Sequence, residues 1–369
     1  MSLKTAFVSL SRKLQNGILR FFRVLLYSSP RNVSKLLVFR TGSIGDNICA
    51  MPSIVAIRKK FPDAQLHILT NAGSSNLVSL QHLLHRDYYN KIIDYIGYSP
   101  SDLYKLLKTE KYDLVIELPQ DQAGLIPQLR NMFFFRFARI RSGFGWQVNT
   151  IFSFRQAQEK TMNFISERTR LLNILASNKI IGEEIIFPLT LIDDDQQVVD
   201  SFIGKLPADK KIVAVVPGAK RPQNRYPFER FEQIAAWLVT KGYTVVVVGG
   251  PEDVERGQEL AKINGVFDAT GKFTPSQSAV LLSRCSVTIS NDTGPMHLSY
   301  AAGTPVIGLF SSRDFQEKWF PPKGNIALRN YDVHCSLCFS ETCSDNICMQ
   351  GIPLDKVKGA FFQMEAALR

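Results

Sequence analysis

From Lys35 onward, short apolar runs alternate with longer segments of helical periodicity. Leu36–Arg40 reads as a short buried strand, followed by a glycine-containing turn and a helix over about 47–60. Gln65–Thr70 and Tyr112–Leu118 read as further strands, the second bounded by Pro119, with a helix running to about Phe137. The alternation then restarts. Ile212–Val216 is a strand ending in Pro217-Gly218, Phe228–Lys241 a helix, and Tyr243–Val248 an apolar strand ending in Gly249-Gly250-Pro251. A helix over Pro275–Arg284, a strand over Val287–Ser290, a helix over Met296–Ala302 and a strand over Val306–Leu309 complete the series. Such alternation predicts α/β architecture: parallel sheets covered by helices on both faces. The restart predicts two doubly wound halves joined somewhere around 180–210. Ligands in such sheets sit at the carboxyl ends of strands, so a cleft between the halves is the expected site.

The length of 369 residues agrees, being too great for one ordinary core. Hydrophobic content of 45% and charged content of 21% are those of a soluble globular chain. No apolar run reaches the roughly 18 to 20 residues that span a bilayer. Arg12, Lys13, Arg20 and Arg23 interrupt the first apolar stretch, so it does not read as a secretory signal, and a cytoplasmic location is expected. Residues 4–26 read instead as a basic amphipathic helix within an N-terminal segment 1–30. Such a helix suits the surface of an anionic membrane, or else packs on the protein itself. Charge is unevenly spread: residues 1–150 carry 20 Lys and Arg against 9 Asp and Glu, whereas the remainder carries 24 of each. An excess confined to one half suits an acidic partner: an anionic membrane, a phosphorylated acceptor or a nucleic acid. A solvated basic surface would look the same. No recognition-helix or aromatic-platform motif supports nucleic acid.

Four segments carry candidate chemistry. The first, Arg40-Thr41-Gly42-Ser43-Ile44-Gly45-Asp46-Asn47, follows the first strand. A dinucleotide fingerprint would need another glycine and an acid closing the second strand, which ends Leu69-Thr70-Asn71. Asp46 lies where the helix begins, either as a helix cap or as a general base for an attacking hydroxyl. The second segment is Ser290-Asn291-Asp292-Thr293-Gly294-Pro295-Met296-His297. Pro295 suits a first helical turn, and the free N–H groups at Thr293 and Gly294 would face an anion. Asp292 can bind sugar or ribose hydroxyls, and His297 lies within a turn of it. The third segment, Pro217-Gly218-Ala219-Lys220-Arg221-Pro222-Gln223-Asn224-Arg225-Tyr226-Pro227, places three cations after a strand, where they could neutralise a diphosphate. The fourth is Cys335, Cys338, Cys343 and Cys348, whose spacing fits a structural zinc site or a disulfide knot; a cytoplasmic location disfavours the latter. Cys49 and Cys285 read as core residues.

These segments, in this order, resemble glycosyltransferase family 9, the heptosyltransferase family of lipopolysaccharide assembly. The resemblance covers most of 35–365 and rests on FRTGSIGDNICAMPSIVAIRKKFP, VVPGAKRPQNRYPFERF, VVVVGGPED and ISNDTGPMHLSYAAGTPVIGLF, with the cysteine cluster leading into MQGI. It implies the GT-B fold: a Rossmann-like acceptor domain over 31–190 and a Rossmann-like nucleotide-sugar donor domain over 191–369. It implies inverting transfer that requires no metal cofactor, with ADP-heptose favoured as donor and an anionic glycolipid as acceptor. Asp46 falls on the family's base position, and Asp292, Thr293, Gly294, Pro295 and His297 on its donor turn. Thr41, Ser43, Gly45, Gly218, Arg221 and Arg225 are further donor candidates. Arg130, Arg136 and Arg139, interleaved with phenylalanines, are acceptor candidates. The family commonly has Lys three residues before the proline of its basic loop; here Asn224 stands there, so Arg221 or Arg225 must supply the charge. Alternatives are a GT-B enzyme acting on another nucleotide-sugar, including an epimerase, and a non-catalytic sugar-nucleotide-binding protein.

Overall fold

The computed structural model describes residues 3–71, 80–151, 165–182 and 185–368. The chain divides into two compact units, Met1–Pro188 and Leu189–Arg369.

The first unit runs α1 (Leu3–Leu26), β1 (Lys35–Phe39), α2 (Ile44–Lys60), β2 (Gln65–Thr70), β3 (Lys91–Asp94), α3 (Pro100–Glu110), β4 (Leu114–Glu117), α4 (Leu125–Phe137), β5 (Ser142–Phe144) and α5 (Glu167–Ala176). Its parallel sheet has the order β3-β2-β1-β4-β5. Leu36, Leu37 and Val38 of β1 are all fully buried, the continuous burial of a strand covered on both faces. β3 and β5 have no counterpart in the sequence reading. Each is three or four residues long at a sheet edge, too short for a periodic signal.

One face of α1 packs against α4. Val8 and Leu19 are buried, and Phe22 and Leu26 contact the same core as Phe135 and Trp146. Arg136 Nε donates to the Leu26 carbonyl at 2.8 Å, and Tyr27 Oη to that of Met132 at 2.6 Å. The opposite face exposes Leu3, Phe7, Leu10, Leu14, Phe21, Val24 and Leu25. Surface packing therefore describes one side of the helix, while the other stays open. Among the described residues no helix is long and apolar enough to cross a membrane.

The second unit runs α6 (Asp193–Ile203), β6 (Ile212–Val216), α7 (Phe228–Thr240), β7 (Thr244–Val247), α8 (Val254–Leu260), β8 (Val266–Asp268), α9 (Pro275–Ser283), β9 (Val287–Asn291), α10 (Gly294–Ala301), β10 (Val306–Phe310), β11 (Ile326–Arg329), α11 (Ile347–Gln350) and α12 (Leu354–Ala367). The order is β11-β10-β9-β6-β7-β8, again all parallel. Both sheets are thus doubly wound, as the alternation predicts. In each, the chain moves outward and then crosses to the other side of its first strand. The crevices of such sheets lie where that reversal occurs: between the carboxyl ends of β1 and β4, and of β6 and β9.

Candidate active site

The reversal point of the first unit is filled by Arg40, which is fully buried directly after β1. Its Nη1 donates to the carbonyls of Leu118 and Pro119, just past β4, each at 3.2 Å. A buried guanidinium needs negative partners. Asp46 Oδ1 lies 3.2 Å from Nη2, and Glu167 Oε1 lies 3.4 Å away. Glu167 also binds Arg170 at 2.7 Å, and Arg170 lies 3.8 Å from Asp121. Charges of alternating sign therefore run from Asp46 through Arg40, Glu167 and Arg170 to Asp121.

Asp46 is not the helix cap; Ser43 is, with Asp46 in the third helical position. Asp46 Oδ2 reaches back to accept from Ser43 N and Oγ, both at 2.9 Å. This half of a capping box and the contact with Arg40 fix both carboxylate oxygens. Gly42 makes the arrangement feasible. Its φ of +146° places a hypothetical Cβ 2.3 Å from that of Asp46, so a side chain there would collide with the carboxylate's stem. Thr41 and Gly45 lie in the same turn, and the Thr41 carbonyl accepts from Gln120. Nearby, Glu117 closes β4 and is buried, with Oε1 accepting from Asn131 at 3.0 Å. Burial, outweighing that hydrogen bond, pushes its carboxyl up to about 8.

In the second unit Asn291 ties the equivalent reversal point together. Its Nδ2 donates to the Pro217 carbonyl past β6 at 2.8 Å, and its Oδ1 accepts from Tyr226 N at 3.0 Å. Asp292 follows at the strand tip. Asn224 Nδ2 donates to its Oδ2 at 3.2 Å, and Asn224 in turn accepts from Ser311. His297 Nε2 lies 3.8 Å from Asp292 Oδ1, and His297 Nδ1 is 2.8 Å from the Tyr300 hydroxyl. Burial first, then the neighbouring Asp314, raises the Asp292 carboxyl to about 7 against the opposing pull of Arg221, Lys318 and Arg313. Thr293 caps α10 in an extended conformation without a side-chain hydrogen bond, and Gly294 and Pro295 open the helix. Its dipole thus points its positive end at the turn.

The basic loop is less uniform than its sequence suggests. Arg225 Nε is spent on the Ala219 carbonyl at 2.9 Å, folding the side chain back over the loop, whereas Arg221 is exposed, 3.7 Å from Glu341. Asn224, in the position of the family's lysine, is a buried hydrogen-bonding link to Asp292. Gly218 has no room for a side chain, because a Cβ would lie 2.2 Å from the Asp253 carboxylate.

The three acceptor candidates do not form one patch. Arg130 connects through Asn131 to Glu117, Arg136 holds the end of α1, and Arg139 lies beyond the far end of α4. Their phenylalanines pack: Phe135 is buried and Phe133 meets Phe22 edge-on at 5.5 Å.

All four clustered cysteines are free thiols. Burial and then the neighbouring cysteines push Cys335 up from the ordinary thiol range. Among the described residues no three His, Cys, Asp or Glu side chains are gathered as metal ligands. The segment is tied to the basic loop, where Asn346 donates to the Arg225 carbonyl at 3.0 Å, and to the residues after β10, where Arg313 donates to the Ser340 carbonyl at 2.8 Å.

Sequence reasoning missed Arg313, Asp314, Lys318, Glu167 and Arg170. The first three follow β10, where the strand-end rule would have found them. Glu167 and Arg170 lie in α5, which packs against α2, and no motif marks them.

A family model described as glycosyltransferase family 9 (heptosyltransferase) matches residues 101–348. Lipopolysaccharide heptosyltransferase 2 of Salmonella typhimurium is 23% identical over 306 residues, covering 76% of this chain and 84% of the relative. Among solved structures, a glycosyl transferase of family 9 from Veillonella parvula superposes with a TM-score of 0.72 at 19% identity, covering 92% of this chain and 99% of that one. The E. coli ADP-heptose lps heptosyltransferase II gives 0.63 at 20% identity, over 90% and 99%. At these identities the solved structures bear on the fold alone, and they are of the paired doubly wound kind found here.

Proposed function

The chain belongs to glycosyltransferase family 9, and on that premise we propose that it transfers heptose from ADP-heptose to an anionic glycolipid of the lipopolysaccharide core, with inversion. The observation that carries this reading is the fixed carboxylate of Asp46 at the first reversal point. Inverting transfer needs one base, which takes the proton from the acceptor hydroxyl as its oxygen attacks the anomeric carbon. The new bond to the acceptor oxygen forms as the bond from sugar to diphosphate breaks, and the nucleoside diphosphate leaves with the electron pair. Ser43 and Arg40 hold Asp46 in one orientation for that step.

The departing diphosphate gathers negative charge that must be stabilised. In this reading the N-terminus of α10 and the Arg221 guanidinium supply it from the second unit, while Asp292 and His297 take sugar or ribose hydroxyls. Fixed positive charge of this kind serves where other transferases use a divalent cation, so turnover is expected to continue in the presence of a chelator. The names of the relatives support the choice of heptose and of a core acceptor. Asn224 marks where this chain departs from the family pattern, so donor choice is the point to test first. Incubating the protein with ADP-heptose and a panel of UDP- and GDP-sugars, each with core-lipid acceptors, and weighing the products decides it. Heptose addition from ADP-heptose alone is expected; turnover restricted to another nucleotide-sugar would overturn the donor assignment. Binding of donors without any product would favour a sugar-nucleotide-binding role.

The same reading places the open apolar face of α1 against an anionic membrane, where such an acceptor would reside.

A further inference from the structure

The amino-terminal end of the first sheet, opposite the end that carries Arg40 and Asp46, holds a pocket of about 820 Å³. Its lining includes Arg31, Lys108, Lys111, Arg139 and Arg141. The pocket's one acidic lining residue, Asp113, is already engaged. Its Oδ2 accepts from Ser34 N and Oγ and from Lys35 N, at 2.8 to 2.9 Å. Among the described residues none of Arg31, Lys111, Arg139 and Arg141 is in an ion pair, so the pocket is left strongly positive.

Two of these cations stand on unfavourable backbone. Lys111, closing α3, has φ of 54°, and Arg139, just past α4, has φ of 67°. Helices ordinarily place glycine there, because in the left-handed region a Cβ crowds the following carbonyl oxygen. A cation at a helix carboxyl end does gain from the helix dipole, but any nearby lysine or arginine on ordinary backbone would gain as much. The chain keeps charge where glycine would be easier, and does so twice around one pocket.

The pocket also has a specific neighbour. Phe21, Val24 and Leu25 of α1 are 63%, 76% and 67% exposed, and the chain passes from them within a few residues into the pocket wall at Ser28–Asn32. An exposed apolar turn beside a cationic pocket matches the interface of a bilayer, where acyl chains meet phosphate. We propose that this pocket binds the phosphate headgroup of an anionic membrane lipid, seating the protein while the strand ends bearing Asp46 lie roughly 15 Å away at the far side of the sheet. The pocket takes in Arg139, one of the acceptor candidates, but lies at the opposite end of the sheet from Asp46, and the proposal rests on the reading of α1 as a membrane-facing helix.

Glycine substitution supplies the test. Lys111→Gly with Arg139→Gly removes two cations while easing the backbone, so the melting temperature should hold or rise. Arg31→Gln with Arg141→Gln removes two others from ordinary backbone and is the independent check. Phe21→Ser with Val24→Ser tests the helix face alone. The full chain should sediment with vesicles of phosphatidylcholine mixed with phosphatidylglycerol more than with pure phosphatidylcholine. Each pocket variant should partition roughly 25-fold more weakly onto the mixed vesicles, at about fivefold per cation removed. Pocket variants that bind like the parent, alongside a weakened Phe21/Val24 variant, overturn the headgroup site and leave the helix reading standing. A parent that shows no preference for the anionic vesicles overturns both. Inorganic phosphate at constant ionic strength is the remaining probe. If it raises the parent's melting temperature without any vesicle preference, the pocket belongs to free phosphate and the headgroup assignment falls.

Discussion

Glu117 and Asp292 are two carboxyl groups whose surroundings oppose their charge. Glu117 Oε2 is buried without a hydrogen-bond partner among the described residues, and burial lifts its titration to about 8. In an unfolded chain a glutamate titrates near 4.5, so the folded state holds the proton more tightly. Its contribution to stability is therefore complete below about pH 4.5 and lost as pH rises through 8. Glu117→Gln, neutral at every pH, should match the parent in acid and melt at a higher temperature above pH 8. Melting curves across that range check it; a constant difference at all pH values would show that Glu117 titrates alike in the folded and unfolded chain. Asp292 has the same sign over a lower window, from about 3.8 to about 7. Arg40 is the opposite case, a buried charge whose two terminal nitrogens are both engaged by carbonyls and carboxylates. Arg40→Met strands Glu167 and Arg170 in an unbalanced cluster and should cost about 3 to 5 kcal/mol in denaturant unfolding. At this scale the sequence singled out the turn after β1 but not the contacts inside it. Asp46 could be read as a cap or a base, but its hold on Arg40 depends on Gly42 bringing the two together, and Glu167 arrives from a helix more than a hundred residues away.

At the scale of elements, long and regular segments were legible and short ones were not. Gln65–Thr70 and Ile212–Val216 have the bounds their apolar runs suggest. Helices α2 and α10 begin two or three residues earlier than the apolar pattern implies, because Ser43 and Thr293 set their starts. The edge strands β3, β5, β8 and β11 are brief and partly polar, and pairing with a neighbour defines them more than their own composition does. α1 was legible as an amphipathic helix, but which surface it meets is a tertiary fact. Because Leu19 is buried in the first unit's core and Phe22 and Leu26 pack against it, α1 is part of that core. Leu19→Ala should destabilise the protein by about 2 to 5 kcal/mol, whereas Leu10→Ala, on the exposed face, should change the melting temperature little. Equal effects from the two would mean that α1 does not pack as described.

For the whole molecule, the restart of the strand–helix alternation announced two doubly wound units, and the rule that ligands meet such sheets at their reversal points led to both clusters. In the proposed reading the units divide the labour: Asp46 and its partners belong to the first unit, Asp292, His297 and Arg221 to the second. Asp292→Ala should therefore weaken donor binding in calorimetry without disturbing Asp46, and unchanged affinity would remove the 292–297 turn from the donor site. Asp46→Asn puts the division to its most direct test. Asparagine keeps an oxygen for Ser43 but cannot take a proton, and it presents Arg40 with no charge. Turnover should fall by about 10² to 10⁴, with ADP-heptose affinity nearly unchanged and a modest loss in melting temperature. Turnover within about threefold of the parent would contradict Asp46 as the base, and with it the central claim.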